Sequence, residues 1–324
     1  MKIKHLVLSL VAIIVIGCNS DDNDTPAVIE YGCFNGIEVR TQEALDSVAK
    51  TIGPDCNSMG YLILGNGSAA SDITSLASLK KIAGIKTIKI QNCPMLTSLE
   101  GLHNVRETIS IEISQTGITD LRGLRSLKTF NSVSWVYEMP SQMYLHHNNA
   151  LVSLNGLQKL TTIPDLRIYT CSAFKSFHGL EKCKILSLVL INCPALTSFP
   201  ANIQIGHACQ FIRTGIVNLN GLKIASGAIV NLSENQSLSS LGNAFENITT
   251  LDSFYCSSNP SLVSLKGLES LTTVNQGVTI ESNASLKNLC ALTSFAAGDN
   301  FGSISGNYNP VTLSTLNSGN CSVE

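Results

Sequence analysis

The chain has 324 residues, of which 44% are hydrophobic and 14% charged, with 21 basic against 23 acidic side chains. Nothing in it forms a basic stripe, which argues against nucleic acid as a partner. The first element is a leader over 1–17. Lys2 and Lys4 form a basic start, and Leu6 to Ile16 is an apolar run broken only by Ser9. A charged start, a short apolar stretch and a small residue before a cut describe an export signal, too short to span a membrane as a helix. Removing it takes away two lysines and no acid, so the mature chain is expected to carry 19 basic and 23 acidic residues, a balance of −4.

Val15-Ile16-Gly17-Cys18 resembles the lipobox of bacterial lipoproteins, which implies that Cys18 becomes the acylated first residue. Residues 18–31 follow as an acidic tether, since Asn19 to Asp24 (NSDDND) offers no apolar anchor. A serine and acidic residues directly after the cysteine are similar to the surface-export signal of Bacteroidetes lipoproteins. That similarity implies an outer-membrane protein, lipid-anchored and facing outward, whose only membrane contact is its anchor.

Residues 32–57 read as an amino-terminal cap. Thr41 can cap a helix beginning TQEALDSV, with Ala44, Leu45, Val48 and Ile52 on one face and Ile52-Gly53-Pro54 ending it.

From there one phrase, Leu-x-Ser-Leu-x-Gly-Leu, returns along the chain. It reads MLTSLEGL from Met95, ALVSLNGL from Ala150 and SLVSLKGL from Ser261, with looser copies between. Its second apolar residue falls at Leu76, Leu99, Leu121, Leu154, Phe177, Phe199, Leu219, Leu241, Leu265 and Leu289, in steps of 20–24 residues except one of 33. Self-similarity at that period marks a leucine-rich solenoid, in which no turn buries its apolar face alone. Within a turn, Ile88 and Ile90 alternate with period two, as a strand with one face inward.

Three residues after the second strand apolar stands Cys93, Asn148, Cys171, Cys193, Asn235, Asn259 or Asn283. A small polar side chain there can turn inward and satisfy backbone groups that the bend would otherwise bury unpaired. Gln115 and Arg213 break the series, so those two turns are expected to be irregular. Glycine at 101, 123, 156, 179, 221 and 267 allows a tight bend where a Cβ would strain it.

Over residues 58 to 316 this pattern resembles the receptor L domains of insulin-receptor and EGF-receptor ectodomains, and more closely the L-domain-like repeats of Bacteroidetes surface proteins. The resemblance implies a right-handed leucine-rich-repeat β-solenoid of about ten turns, with one parallel sheet and few short helices. At about 4.8 Å per rung the rod would be roughly 50 Å long. The solenoid is placed at 58–289 and a carboxy-terminal cap at 290–324. The resemblance also implies that Cys33 and Cys56 join across the first cap, and Cys290 and Cys321 suggest a matching clasp. Of the remaining cysteines, Cys256 sits where Ile90 sits and Cys183 where Leu160 sits, both as small core hydrophobes. Cys171 and Cys193 share a rung position one turn apart, close enough to bridge; they are read as free ladder thiols. No CxxC or His-x-x-His spacing supports zinc.

No catalytic motif emerges: there is no phosphate loop, serine elbow or paired-carboxylate cluster. His103 and His178 fall in loops, and His146-His147 reads as a solvated strand-end pair. The chain is therefore read as non-enzymatic, monomeric, and without cofactor or metal. Its outward strand positions include Lys89, Gln91, Glu112, Tyr144, His146, Arg167, Tyr169, Val189, Ile191, Gln210, Ile212, Asn231, Tyr255, Thr279 and Glu281, with the middle turns as the aromatic and aliphatic part of an otherwise polar sheet. Contiguous exposed apolar area of that kind marks an interaction site. The longest turn adds residues 131–142 (NSVSWVYEMPSQ), including the only tryptophan. Expected ligand contacts are Trp135, Tyr137, Tyr144, His146, Arg167, Tyr169, Ile191 and Ile212, meeting an extracellular protein or glycan. The competing reading is a structural spacer or assembly component of an envelope complex, in which the insert folds down as a plug over Val189 and Ile191.

Overall fold

Alternation along each repeat decides which side chains enter the core: Ile88 and Ile90 are fully buried, whereas Lys89 and Gln91 between and after them keep contact with solvent. A computed structural model describes residues 33–131, 141–293, 301–311, 316 and 318–323. Its strands are β1 (Gly36–Val39), β2 (Ser58–Leu64), β3 (Gly84–Cys93), β4 (Glu107–Thr108), β5 (Ser110–Thr116), β6 (Thr129–Phe130), β7 (Gln142–His146) and β8 (Thr162–Tyr169). They continue as β9 (Lys184–Cys193), β10 (Ile203–Thr214), β11 (Leu222–Ile224), β12 (Ile229–Ser233), β13 (Thr250–Ser257), β14 (Thr273–Glu281) and β15 (Phe301–Ser305). All belong to one sheet whose main path runs β1-β2-β3-β5-β7-β8-β9-β10-β12-β13-β14-β15. Neighbours pair in parallel throughout, as in Ile88↔Ile111 and Ile168↔Leu190, so the chain returns to the same edge once per repeat. The result is a β-solenoid of about eleven turns, in which β1 and β15 add rungs before and after the ten that the leucine pattern marks. β4, β6 and β11 are short side branches.

Buried asparagines tie the turns together where the strands end. Asn259 is wholly buried; its Oδ1 accepts the Asn235 N–H at 3.0 Å and its Nδ2 donates to the Leu232 carbonyl at 2.9 Å. Asn283 repeats this one turn on, accepting from Asn259 N–H and donating to the Cys256 carbonyl, each at 3.0 Å. Asn148 and Asn235 do the same for the turns before them. The irregularity expected in the turn of Gln115 does not occur, and in the turn of Arg213 it falls earlier in the same strand, not at Arg213 itself. The ladder position in those turns is Thr116 and Thr214, paired in register with Cys93 and Cys193. Each threonine hydroxyl donates to the next asparagine, at 2.8 Å to Asn148 and 2.7 Å to Asn235. Gln115 and Arg213 instead fill the left-handed residue before the ladder, both at φ 52°, as Asn92, His147 and Ser258 do in their turns. Register shifts fall between Ile205 and Ala208, in the strand of Arg213, between Leu251 and Ser253, and between Val278 and Thr279.

The serine of the repeat phrase serves the opposite corner. Side chains of Ser75, Ser98, Asp120, Ser153, Ser176, Asn218, Ser240, Ser264 and Asn288 each accept the N–H two residues on, at 2.9–3.4 Å. This local bond holds the chain out of helix and in a turn. One tight step follows, in which the marker carbonyl accepts from the residue three on, as Leu99 does from Leu102 at 3.1 Å. Glycine is required next: at Gly156 φ is 120°, and a Cβ would stand 2.1 Å from the Leu121 carbonyl oxygen of the preceding turn. Close stacking of turns, as well as the bend, therefore excludes a side chain there.

At the amino end, helix α1 (Gln42–Thr51) covers the first turns. Thr41 accepts the Ala44 N–H at 3.2 Å, Leu45, Ala49 and Ile52 are buried, and Val48 packs beside them. The Lys81 ammonium closes the helix end by donating to the Ile52 and Gly53 carbonyls at 2.7 and 2.8 Å. Disulfides Cys33–Cys56 and Cys290–Cys321 join residues whose Cα atoms are 5.4 and 4.7 Å apart. Cys93, Cys171, Cys183, Cys193, Cys209 and Cys256 are free and buried. Signal, tether and Cys18 lie outside the described residues.

Asn259→Ala removes the side-chain acceptor of the buried Asn235 N–H and one donor to the Leu232 carbonyl. It should cost about 2–4 kcal/mol in urea denaturation, and a loss below about 1 kcal/mol would show that the ladder merely accompanies the fold.

Candidate recognition face

Outward side chains form straight rows because every rung is in register. One row runs Lys89, Glu112, Tyr144, Arg167, Val189, Gln210, Asn231, Tyr255 and Thr279. The row beside it runs Gln91, Ser114, His146, Tyr169, Ile191, Ile212, Ser233, Ser257 and Glu281. Six expected contact residues thus fall together: Tyr144 and Arg167 are neighbours in the first row, and His146, Tyr169, Ile191 and Ile212 follow one another in the second. Trp135 and Tyr137 lie outside the described residues, as does the rest of 132–140.

The rings on β7 and β8 pack as a unit. Tyr144 stacks on His146 with centroids 4.3 Å apart, and meets Tyr169 edge-on at 5.1 Å. His146 is not the solvated residue expected from its strand-end position. It is half-buried under that stack, and burial holds its pKa below the ordinary histidine value, against an opposing Glu112 contact. His147 alone is exposed. Burial likewise raises the Tyr144 phenol, aided by Tyr169 and Glu112.

Around the rings the charges are paired across rungs. Glu112 receives Lys89 at 3.5 Å, His146 at 3.5 Å and the Gln91 amide. Arg167 binds Asp165, two residues back on its own strand, at 2.7 and 2.8 Å, and this hydrogen bonding raises its pKa further. Sequence reasoning placed Lys89, Gln91 and Glu112 outward without linking them to the rings, and missed Asp165. The i, i+2 spacing of Asp165 and Arg167 within one strand was the available signal, since it puts both on one face.

A groove of about 430 Å³ is lined by Ala201, Asn202, Gly221–Ile224, Asn243, Ala244, Glu246 and Asn247, and by no member of this face. Among the described residues no group of three or more His, Cys, Asp or Glu is placed to hold a metal ion. The thiols are poor nucleophiles: burial pushes Cys171 to about 11 and Cys183, Cys193, Cys209 and Cys256 to about 12. No family model matches the chain.

Iodoacetamide near about pH 8 should therefore leave all six free cysteines unmodified in the folded chain and alkylate all six in denaturant. Mass-spectrometric labelling of Cys171 or Cys193 without unfolding would contradict their burial.

Proposed function

We propose that this protein is a non-catalytic recognition module, displayed outside the cell on a lipid anchor at Cys18 and binding an extracellular partner through the sheet face. The observation that carries the reading is the ring cluster of Tyr144, His146 and Tyr169 beside Arg167, on rungs fixed from within by the buried ladder. Tyrosine and arginine are the residue types that concentrate interface energy, and they do so at one centre. Side chains mounted on paired strands lose little freedom on binding, which favours affinity. The two disulfides suit an oxidising compartment, consistent with export.

Two experiments test it. Tyr144→Ala should weaken partner binding by about 2 kcal/mol, roughly thirtyfold, with the thermal midpoint nearly unchanged. Thr279→Ala, in the same row but six rungs away from Tyr144, should leave binding intact. Equal binding by both variants would remove the ring cluster from the function. For location, protease added to intact cells should digest the protein, and replacing Asp21, Asp22 and Asp24 with Ala should retain it in the periplasm. Full protection of the unaltered protein would refute surface display.

A further inference from the structure

The recognition reading leaves the partner's chemistry open between protein and glycan, and the burial and charge pattern of the face separates them. A protein partner of ordinary size covers roughly 800 Å² on each side around an apolar centre from which water is excluded. The aliphatic members of this face do not offer one: Val189 is only 9% exposed, and Ile191 and Ile212 are half-buried. What stands out is polar or aromatic, with Tyr255 the most exposed of the row at 39%.

The charged groups beside the rings are compensated locally. Lys89 neutralises Glu112, which also meets His146 at 3.5 Å, and Asp165 neutralises Arg167. Such pairs keep spare donors and acceptors while presenting no net field to draw an ionic ligand. Toward Tyr255 the face continues in uncharged hydrogen-bonding groups: Ser233 donates to Asn231 at 2.6 Å and meets Ser257 at 3.1 Å. From Tyr144 to Tyr255 is five rungs, roughly 24 Å at about 4.8 Å per rung. That is the length of an extended oligomer, laid across the strands.

We infer that the sheet face binds an uncharged glycan chain lying along the solenoid axis. The Tyr144–His146–Tyr169 cluster packs against a sugar ring, and Arg167, Glu112 and Asn231 bond its hydroxyls. This assignment rests on the recognition reading above. A neutral polyol complements a surface whose charges already cancel, because it exchanges hydroxyl for water hydrogen bonds without stripping a charge of its counter-charge.

The test is affinity electrophoresis of the full chain through gels containing dextran, amylose or glucomannan, with polygalacturonate and heparin as anionic arms, beside a protein array. At least one neutral polysaccharide should retard the protein, and retardation should persist in about 1 M NaCl, where the Debye length is about 3 Å. Tyr169→Ala should weaken it about thirtyfold. Arg167→Lys, which keeps the charge and loses the planar fork, should weaken it severalfold and guards against misfolding of the first variant. Retardation only by the anionic polymers, abolished by salt, overturns the inference. So does capture of an array protein, lost in the same variants, with no neutral polysaccharide bound; in that case the recognition face itself stands. Neutral-glycan binding indifferent to Tyr169, Arg167 and Tyr255 substitutions overturns both readings.

Discussion

Everything in this solenoid hangs on the hydrogen bonds that cross between turns at the ends of the strands. There the chain bends inward, and its amides would be buried unpaired unless a neighbouring turn reached them. Asparagine can do this in both directions at once, accepting an N–H and donating to a carbonyl of the preceding turn, as Asn259 does with Asn235 and Leu232. Threonine extends the series because its hydroxyl donates into the next asparagine. Cysteine is the weakest member: the Cys171 thiol lies 3.5 Å from the Tyr169 carbonyl and 3.8 Å from that of Leu145. The interior beside the thiol rungs is correspondingly aromatic. Phe174, Phe177, Phe199 and Phe211 contact in sequence at 5.3, 5.5 and 5.2 Å, so packing holds the spacing where the ladder is weakest.

Because spacing and register are set from the inside, the outward face can vary without cost to the fold. The longest step shows this: between β5 and β7 the chain takes ten or so extra residues, yet Glu112↔Tyr144 and Ser114↔His146 remain in register. Lengthening is absorbed between two fixed points, the corner at Leu121 and the start of β7. Side chains more than twenty residues apart in sequence, such as Lys89 and Glu112, are then brought into contact at every rung.

Much of this was legible in the sequence, and the failures have identifiable causes. Leucine spacing gave the turns, period-two alternation gave the faces, and Thr41 with its apolar stripe gave the cap helix. Both disulfides join the expected cysteines. Gln115 and Arg213 misled because the ladder was read as asparagine or cysteine only; a count of three from Ile113 and from Phe211 lands on threonine, which performs half of the same bonding. The repeat serine was visible in seven of the ten copies, but its role is a bond to the backbone two residues on, which composition alone does not announce. Pairing of Asp165 with Arg167, and burial of His146 beneath Tyr144, depend on rotamers that no periodicity encodes.

The coincidence of features on β7 and β8 follows from the same mechanics. A recognition surface gains most from groups that are held before the ligand arrives, since ordering them afterward costs free energy. On this sheet the backbone beneath Tyr144 and Tyr169 is paired on both sides, and the rings brace one another and His146. Arg167 is likewise held by Asp165 at its base. On the proposed reading those groups would meet a partner already in place, whereas among the described residues Thr279 and Glu281 have no ring contact or ion pair of that kind. Rigidity inherited from a buried amide ladder and fixed again by paired charges above it is what the proposed recognition through the middle of the sheet would draw on.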